Sequence, residues 1–496
     1  MDLGFLSALK GQGDKVSSKD LVVALTDAMD KGLLKPGDRL PSIRELSLFL
    51  GLAKTTVARA FDQLIATGHL NAQKGSGTFV AGVNGDKRVE SNGSTRAVSG
   101  SETIGVWNNR LNDVAERILL QSPDFVTSGD LETLNYGSTP SDSLPIYEWK
   151  SRIIAQYRAD EIVPGGNKTE PFGFRPLREA LVGFLRRTKG IQCTASQIVL
   201  YSSSQSALNH ILSLLVKPEQ KAIFENPGFA GASEHFRIHG VETEFLPVDG
   251  DGIVLAGTSC RNEVVDWAYI TSASQDPTGA VLSLGRRQEL LQWISKNGTA
   301  IIEDGWDSDF HYGAKTHPTL FSMDSTGSVF YLYTFWRLLY PLTCTTLLVL
   351  PPALVKVFET SKRLCDPPFA TAEDIVLCEL LENGYLEKHI RQVWKKYRKR
   401  RQAVMYELTR AFGKMISVNP VTGGMHAIVS FPPNFPTEEI VACAAKCGFP
   451  CAPTASYYYG EAPANQFMVF FASIDEADAQ AVVERFALSL ADAKKQ

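Results

Sequence analysis

No apolar run in the 496-residue sequence is long enough to cross a membrane. The longest, such as Thr346 to Pro352, fall far short of the roughly 20 residues a spanning helix needs. The opening Met1-Asp2-Leu3-Gly4 lacks the basic residues and apolar core of a secretory signal, so a cytoplasmic protein without a membrane partner is expected. Neither charge sign dominates: 50 Lys+Arg against 54 Asp+Glu leave −4. That balance argues against a surface of one sign along the whole chain, so any nucleic-acid site has to be local. Cysteine is sparse for this length, with eight residues, and reads as reduced small hydrophobes rather than a disulfide framework. Cys443, Cys447 and Cys451 are evenly spaced, which could suggest a metal. The first two fall on an expected helix, Thr437 to Cys447, with no histidine nearby, so core packing is the better reading and no metal is expected.

What is present is ordinary for a globular protein: 44% hydrophobic and 21% charged residues, in a chain long enough for two to four domains. The punctuation from Ser17 to Val80 is unusually legible. Ser18-Lys19-Asp20 opens a helix whose apolar positions are Leu21, Val22, Leu25, Met29 and Leu33. Lys35-Pro36-Gly37-Asp38 forms a turn. Ser42 with Glu45 three residues on is a capping box for a second helix, which ends near Gly51. A third helix starts at Thr55 or Thr56, reaches Thr67, and turns Val57, Ala60, Phe61 and Leu64 inward. Two helices across a short glycine-containing turn are the geometry of a helix-turn-helix. Leu70 to Val80 follows as a β-hairpin with a glycine-rich tip.

The stretch resembles the GntR winged helix-turn-helix, above all in Pro36 to Ser42, in Arg44-Glu45-Leu46 and in Gly75 to Val80. The expected partner is therefore a double-stranded DNA operator. The polar face of the third helix offers Lys54, Thr55, Thr56 and Arg59: hydroxyls suit phosphate oxygens, and a guanidinium reads guanine or clamps a phosphate. The resemblance adds Arg39, Ser42 and Arg44 from the second helix and its entry, and Lys74 and Gly75 at the wing. Residues 1–80 carry ten Lys+Arg and eight Asp+Glu, so 10 − 8 = +2. This small excess suits a dimer gripping two half-sites. Ala53 stands where the family usually has a serine or threonine cap, an absence that costs the third helix about 1 kcal/mol.

Residues 81–104 are polar and rich in Gly, Ser and Asn, the composition of a flexible linker. Beyond it strands alternate with helices, an α/β body over 105–496 with a smaller subdomain from about 355 to 496. Pro171 to Leu181, Ile198 to Leu208, Phe224 to Phe229, Gln275 to Gly279, Ile301 to Phe310 and Val329 to Pro341 resemble, in order, the fold-type I aminotransferase body of the MocR/GabR regulators. The expected fold is thus multidomain: an α+β winged helix-turn-helix followed by an α/β, fold-type I PLP-transferase-like body.

In aminotransferases of this type a lysine forms an imine with pyridoxal phosphate, PLP. The resemblance implies a cofactor pocket around Ser204, Gln205, Asp276, Asp304, Trp306, Trp336, Arg337, Cys344 and Met468. The carboxylate for the pyridine nitrogen survives as Asp304, and the Ser-Gln phosphate turn as Ser204 and Gln205. Arg337 replaces the lysine, and a guanidinium is too poor a nucleophile to condense with an aldehyde. Trp336 precedes it where a serine is usual. Trp306 replaces the phenolate-donating tyrosine, Cys344 the phosphate arginine and Met468 the substrate arginine, while Ser203 and Ser274 replace a glycine and a histidine. Each lost charge-assisted hydrogen bond removes roughly 1.5–3 kcal/mol of binding.

Three readings of this pocket stay open: a filled core, a site for another small ligand using Arg337 or Asp304, or PLP held without a covalent bond on Asp304 and the Ser204 turn. No covalent cofactor and no transaminase activity are expected, and no residue is assigned a catalytic role. The function expected is a homodimeric DNA-binding transcription regulator whose body serves dimerisation and the sensing of a small-molecule effector. The alternative is an aminotransferase-family enzyme that keeps its cofactor, for which Lys315 or Lys362 would have to supply the amine. A purely structural dimer with a solid core is a third possibility.

Overall fold

The computed structural model describes residues 16–73, 77–81, 112–120, 139–158, 170–258, 260, 263–313, 317–365, 371–419 and 423–493. The chain separates into two compact units, Met1–Gly105 and Val106–Gln496. Linker residues 82–104, the wing tip with Lys74 and Gly75, and Lys315 lie outside the described residues.

In the first unit, α1 (Ser18–Asp30) begins on a capping box in which the Ser17 hydroxyl accepts the Asp20 N–H and Asp20 accepts the Ser17 N–H. The helix stops before Leu33, which is exposed; Leu34 takes the buried position instead. A second capping box, Ser42 with Glu45, opens α2 (Ile43–Leu50), and Gly51 closes it in the left-handed conformation that glycine adopts without strain. α3 (Lys54–Ala66) starts at Lys54, ahead of the expected Thr55 or Thr56, because Ala53 takes the N-cap position with no side-chain hydrogen bond. Val57, Ala60, Phe61 and Leu64 face inward against Leu21, Leu25, Leu46 and Leu50. The wing consists of β2 (Leu70–Gln73) and β3 (Gly77–Val80), joined by an unexpected third strand, β1 (Arg39–Leu40), paired to β3. Arg39 therefore stands on the wing sheet rather than on the second helix.

The second unit is built on an eight-stranded sheet. Its strands are β4 (Ile198–Tyr201), β5 (Lys221–Asn226), β6 (Glu242–Asp249), β7 (Gly252–Ile253), β8 (Trp267–Ile270), β9 (Ala300–Asp304), β10 (Val329–Thr334) and β11 (Thr346–Val349), in the order β4-β11-β10-β9-β8-β5-β6-β7. From β10 across to β6 the strands run parallel. Side chains are buried on both faces, as parallel sheets require. Along β10, Phe330 and Leu332 enter one core while Tyr331 and Tyr333 enter the other. A separate four-stranded sheet, order β12-β13-β15-β14, consists of β12 (Ser417–Val418), β13 (Ala427–Ser430), β14 (Cys451–Pro453) and β15 (Gln466–Val469). Cys443 packs in the main core, and Cys447 and Cys451 lie against it.

Candidate functional site

The first candidate surface is the outer side of α2 and α3. Their apolar faces are used up in the core of the unit, so the opposite faces carry the chemistry. Ser42, Arg44, Lys54, Thr55 and Arg59 are exposed, while Thr56 is half-buried. The Ser42 hydroxyl also accepts the Glu45 N–H, so it has a capping role whatever else it touches. Arg39 is exposed on β1 and lies over Gly77, where a Cβ would come 2.8 Å from its Nε. Gly77 also has φ +117°, a backbone conformation that favours glycine there.

The second candidate is the set of loops beyond the carboxyl ends of β5, β8, β9 and β10, where open α/β sheets place their ligands. Asp304 ends β9 and is buried. Burial pushes its carboxyl up to about 6, against hydrogen bonds from the Tyr269 hydroxyl and the Trp306 backbone. The next residue, Gly305, leaves no room for a side chain because a Cβ there would collide with the Tyr331 ring and hydroxyl. β10 runs into a short helix, Trp336–Leu339, and this turns Arg337 inward to 2% exposure.

The Arg337 guanidinium lies 4.1 Å from the centre of the Trp306 ring and 5.8 Å from that of Trp336. Such stacking lets a buried guanidinium use ring faces in place of water. Trp306 in turn donates its indole N–H to the Ser274 carbonyl at 3.0 Å. Asp307, two residues past Gly305, is buried as well. Burial drives its carboxyl up to about 6 while the Arg337 guanidinium pulls it back. His426 Nε2 donates to the Pro277 carbonyl at 2.6 Å. Burial, and next the field of Arg337, hold its imidazole down at about 4, so it is neutral near pH 7.

Residues 18–80 match the family model of bacterial regulatory proteins, gntR family, and residues 145–335 match that of aminotransferase class I and II. Among curated relatives, the uncharacterized HTH-type transcriptional regulator YdeL of Bacillus subtilis is 26% identical over 454 residues, 91% of each chain. The probable rhizopine catabolism regulatory protein MocR of Rhizobium meliloti is 25% identical over 447 residues, 90% of this chain and 87% of that one. The chain has the domain arrangement of the MocR/GabR regulators, a gntR-family helix-turn-helix domain followed by an aminotransferase class I and II domain. Its body has the aminotransferase fold: the multiple substrate aminotransferase of Thermococcus profundus superposes with a TM-score of 0.66 at 23% identity, over 78% of this chain and 99% of that one.

Aminotransferases of this fold normally hold PLP. Asp304 supplies a buried carboxylate of the kind that such a cofactor takes. Position 337 offers a guanidinium already stacked on Trp306, and the single donor of Trp306 is taken by Ser274. The remaining expected pocket residues are dispersed in burial and contact. Ser204 is half-buried at the start of helix Ser204–Leu215, capped by Ser203, and Gln205 is exposed. Asp276 is buried, with its N–H on the Thr271 hydroxyl at 3.2 Å. Cys344 is exposed, and Met468 is buried on β15 against Ile428 and Ala452. Lys362 is buried on helix Val355–Cys365, with its ammonium 4.4 Å from the Tyr201 ring centre.

Three residues went unrecognised in the sequence. Tyr269 lies on β8 and His426 just ahead of β13, and only their partners in space mark them. Asp307 did carry a signal, being the second acidic residue of the Asp304-Gly305-Trp306-Asp307 turn.

Proposed function

We propose that the chain is a DNA-binding transcription regulator that grips operator DNA through Arg39, Ser42, Arg44, Lys54, Thr55, Thr56, Arg59, Lys74 and Gly75. Its body works as a dimerisation and ligand-sensing module without transamination. The observation that carries the DNA-binding part is the exposed row Arg44, Lys54, Thr55 and Arg59 on α2 and α3, a local basic face in a chain whose net charge is −4. The part concerning the body is supported by Arg337, whose side chain packs on Trp306 and cannot form an imine. Homodimerisation brings two reading heads to paired half-sites, which compensates for the weak grip of each.

Selection of duplexes from a random pool by the full chain tests this reading. It should enrich a site made of two related half-sites, and Arg44→Ala with Arg59→Ala should abolish the enrichment. Enrichment that survives both substitutions would contradict it.

A further inference from the structure

A cleft of about 190 Å3 opens in the body between the end of β5, the helix Ala230–Ile238 and the turn Ala455–Tyr457 that follows β14. Neither Trp306 nor Arg337 lines it, so it is separate from the stacked pair described above. Its mouth is held by contacts that join the two sheets. The Gly228 N–H donates to the Tyr457 carbonyl at 2.9 Å, and Asn226 exchanges two hydrogen bonds of 3.1 Å with the Tyr459 backbone. Tyr459 stacks on Phe245 at 4.0 Å with the Arg237 guanidinium 5.0 Å from its ring.

The chemistry of the walls is specific. Phe229, Tyr457 and Tyr458 present aromatic surface, and Glu225 and Glu234 present carboxylates. The lining cation, Arg237, is committed to Glu234 at 2.7 Å and to the Thr243 hydroxyl at 3.2 Å. Glu225 is only 4% exposed. Its Oε2 takes the Thr271 N–H at 3.1 Å, the Thr271 hydroxyl, and the Gln275 amide at 3.5 Å. Its Oε1 accepts no hydrogen bond from any described residue. A buried carboxylate with one oxygen left over in an aromatic-walled cleft is matched by an ammonium group.

We propose that this cleft binds a small aromatic primary amine, with the ammonium on Glu225 Oε1 and the ring against Phe229, Tyr457 and Tyr458. Aromatic faces favour both the ring and the cation, while the ionised Glu225 carboxylate, not neutralised by any lining cation, disfavours an anionic ligand. The amine gives the ligand-sensing reading a place and a chemical class. It rests on that reading only for the consequence of binding, not for binding itself. Because the cleft spans the join between the two sheets, an occupant would favour the arrangement of these segments that closes on it.

The unliganded carboxyl of Glu225 is pushed up to about 7, first by burial and against the hydrogen bonds of Thr271 and Gln275. The groups facing it are Asp276 beyond β8, the Tyr269 hydroxyl on β8, and Glu234 and Arg237 across the cleft. An ammonium needs the ionised form, so affinity rises as the pH passes upward through about 7.

Calorimetric titration of the full chain, without DNA, with tyramine, phenethylamine and benzylamine tests the proposal. Phenylacetate and 2-phenylethanol serve as matched controls. At least one amine should bind once per chain with an affinity about tenfold or more above both controls, and Glu225→Gln should lower it by about tenfold or more. Tyr458→Ala should weaken it as well, with an unchanged circular dichroism spectrum. Absence of binding by all three amines, equal binding of phenylacetate, or an unaffected Glu225→Gln protein would overturn it. If that variant does not fold, the unmodified chain decides: an affinity flat between about pH 5.5 and about pH 8 would contradict the assignment.

Discussion

Asp304 shows what a buried carboxylate costs the protein. Its carboxyl is raised from 3.8 to about 6 because burial strips its water, and neither Tyr269 nor the Trp306 backbone fully replaces it. Between those two pH values the unfolded chain releases the proton and the folded chain keeps it. The folded state therefore loses stability as the pH rises through that window, and the loss is complete above about 6. Asp304→Asn, close in shape but without charge, should gain stability relative to the parent between pH 4 and pH 7.5. At about 1.4 kcal/mol per pKa unit the relative gain is at most roughly 3 kcal/mol, read from urea midpoints at each pH. A difference that stays constant with pH would show that the carboxyl is not perturbed. Arg337, Trp306 and Cys344 drew notice in the sequence because they sit inside recognisable motifs. Their contacts carried no such signal: the Arg337–Trp306 stack joins the short helix after β10 to the turn after β9, and no local spacing encodes it.

At the scale of elements, legibility followed length and capping chemistry. The capping box at Ser42 and the buried face of α3 follow directly from residue type and 3.6-residue spacing, whereas the box at Ser17 emerged only in the structure. The two-residue strand β1 and the four-residue helix Trp336–Leu339 are too short for a period to show, and tertiary pairing decides them. The unusual start of α3 yields a test. Ala53 leaves its N-terminal N–H groups without a side-chain acceptor, so Ala53→Ser should stabilise the DNA-binding unit by about 1 kcal/mol, seen as a raised midpoint of its unfolding transition. An unchanged midpoint would mean that the N-cap geometry is not used. On the wing, Gly77→Ala should act in the opposite sense, because it places a side chain on a backbone held at φ +117° and displaces the Arg39 guanidinium. A loss of operator affinity with the body still folded is the expected result.

At the scale of the whole molecule, the order of parts was the most legible feature, since each unit carries its own run of motifs and a change of composition separates them. The account joins a reading head that depends on electrostatics to a body for which we propose no covalent chemistry. For the head, operator affinity should fall linearly with the logarithm of salt concentration, and Arg59→Ala should reduce the slope by about 1 if it contacts phosphate. If it reads a base instead, the slope should hold while discrimination at one operator position falls by about 1–3 kcal/mol. For the body, the deciding measurement is borohydride reduction of the full chain in excess PLP, followed by peptide mass spectrometry. The account predicts no phosphopyridoxyl group on any lysine of residues 106–496 beyond the level of an unfolded control. One such group per chain on a single lysine of the body would contradict it.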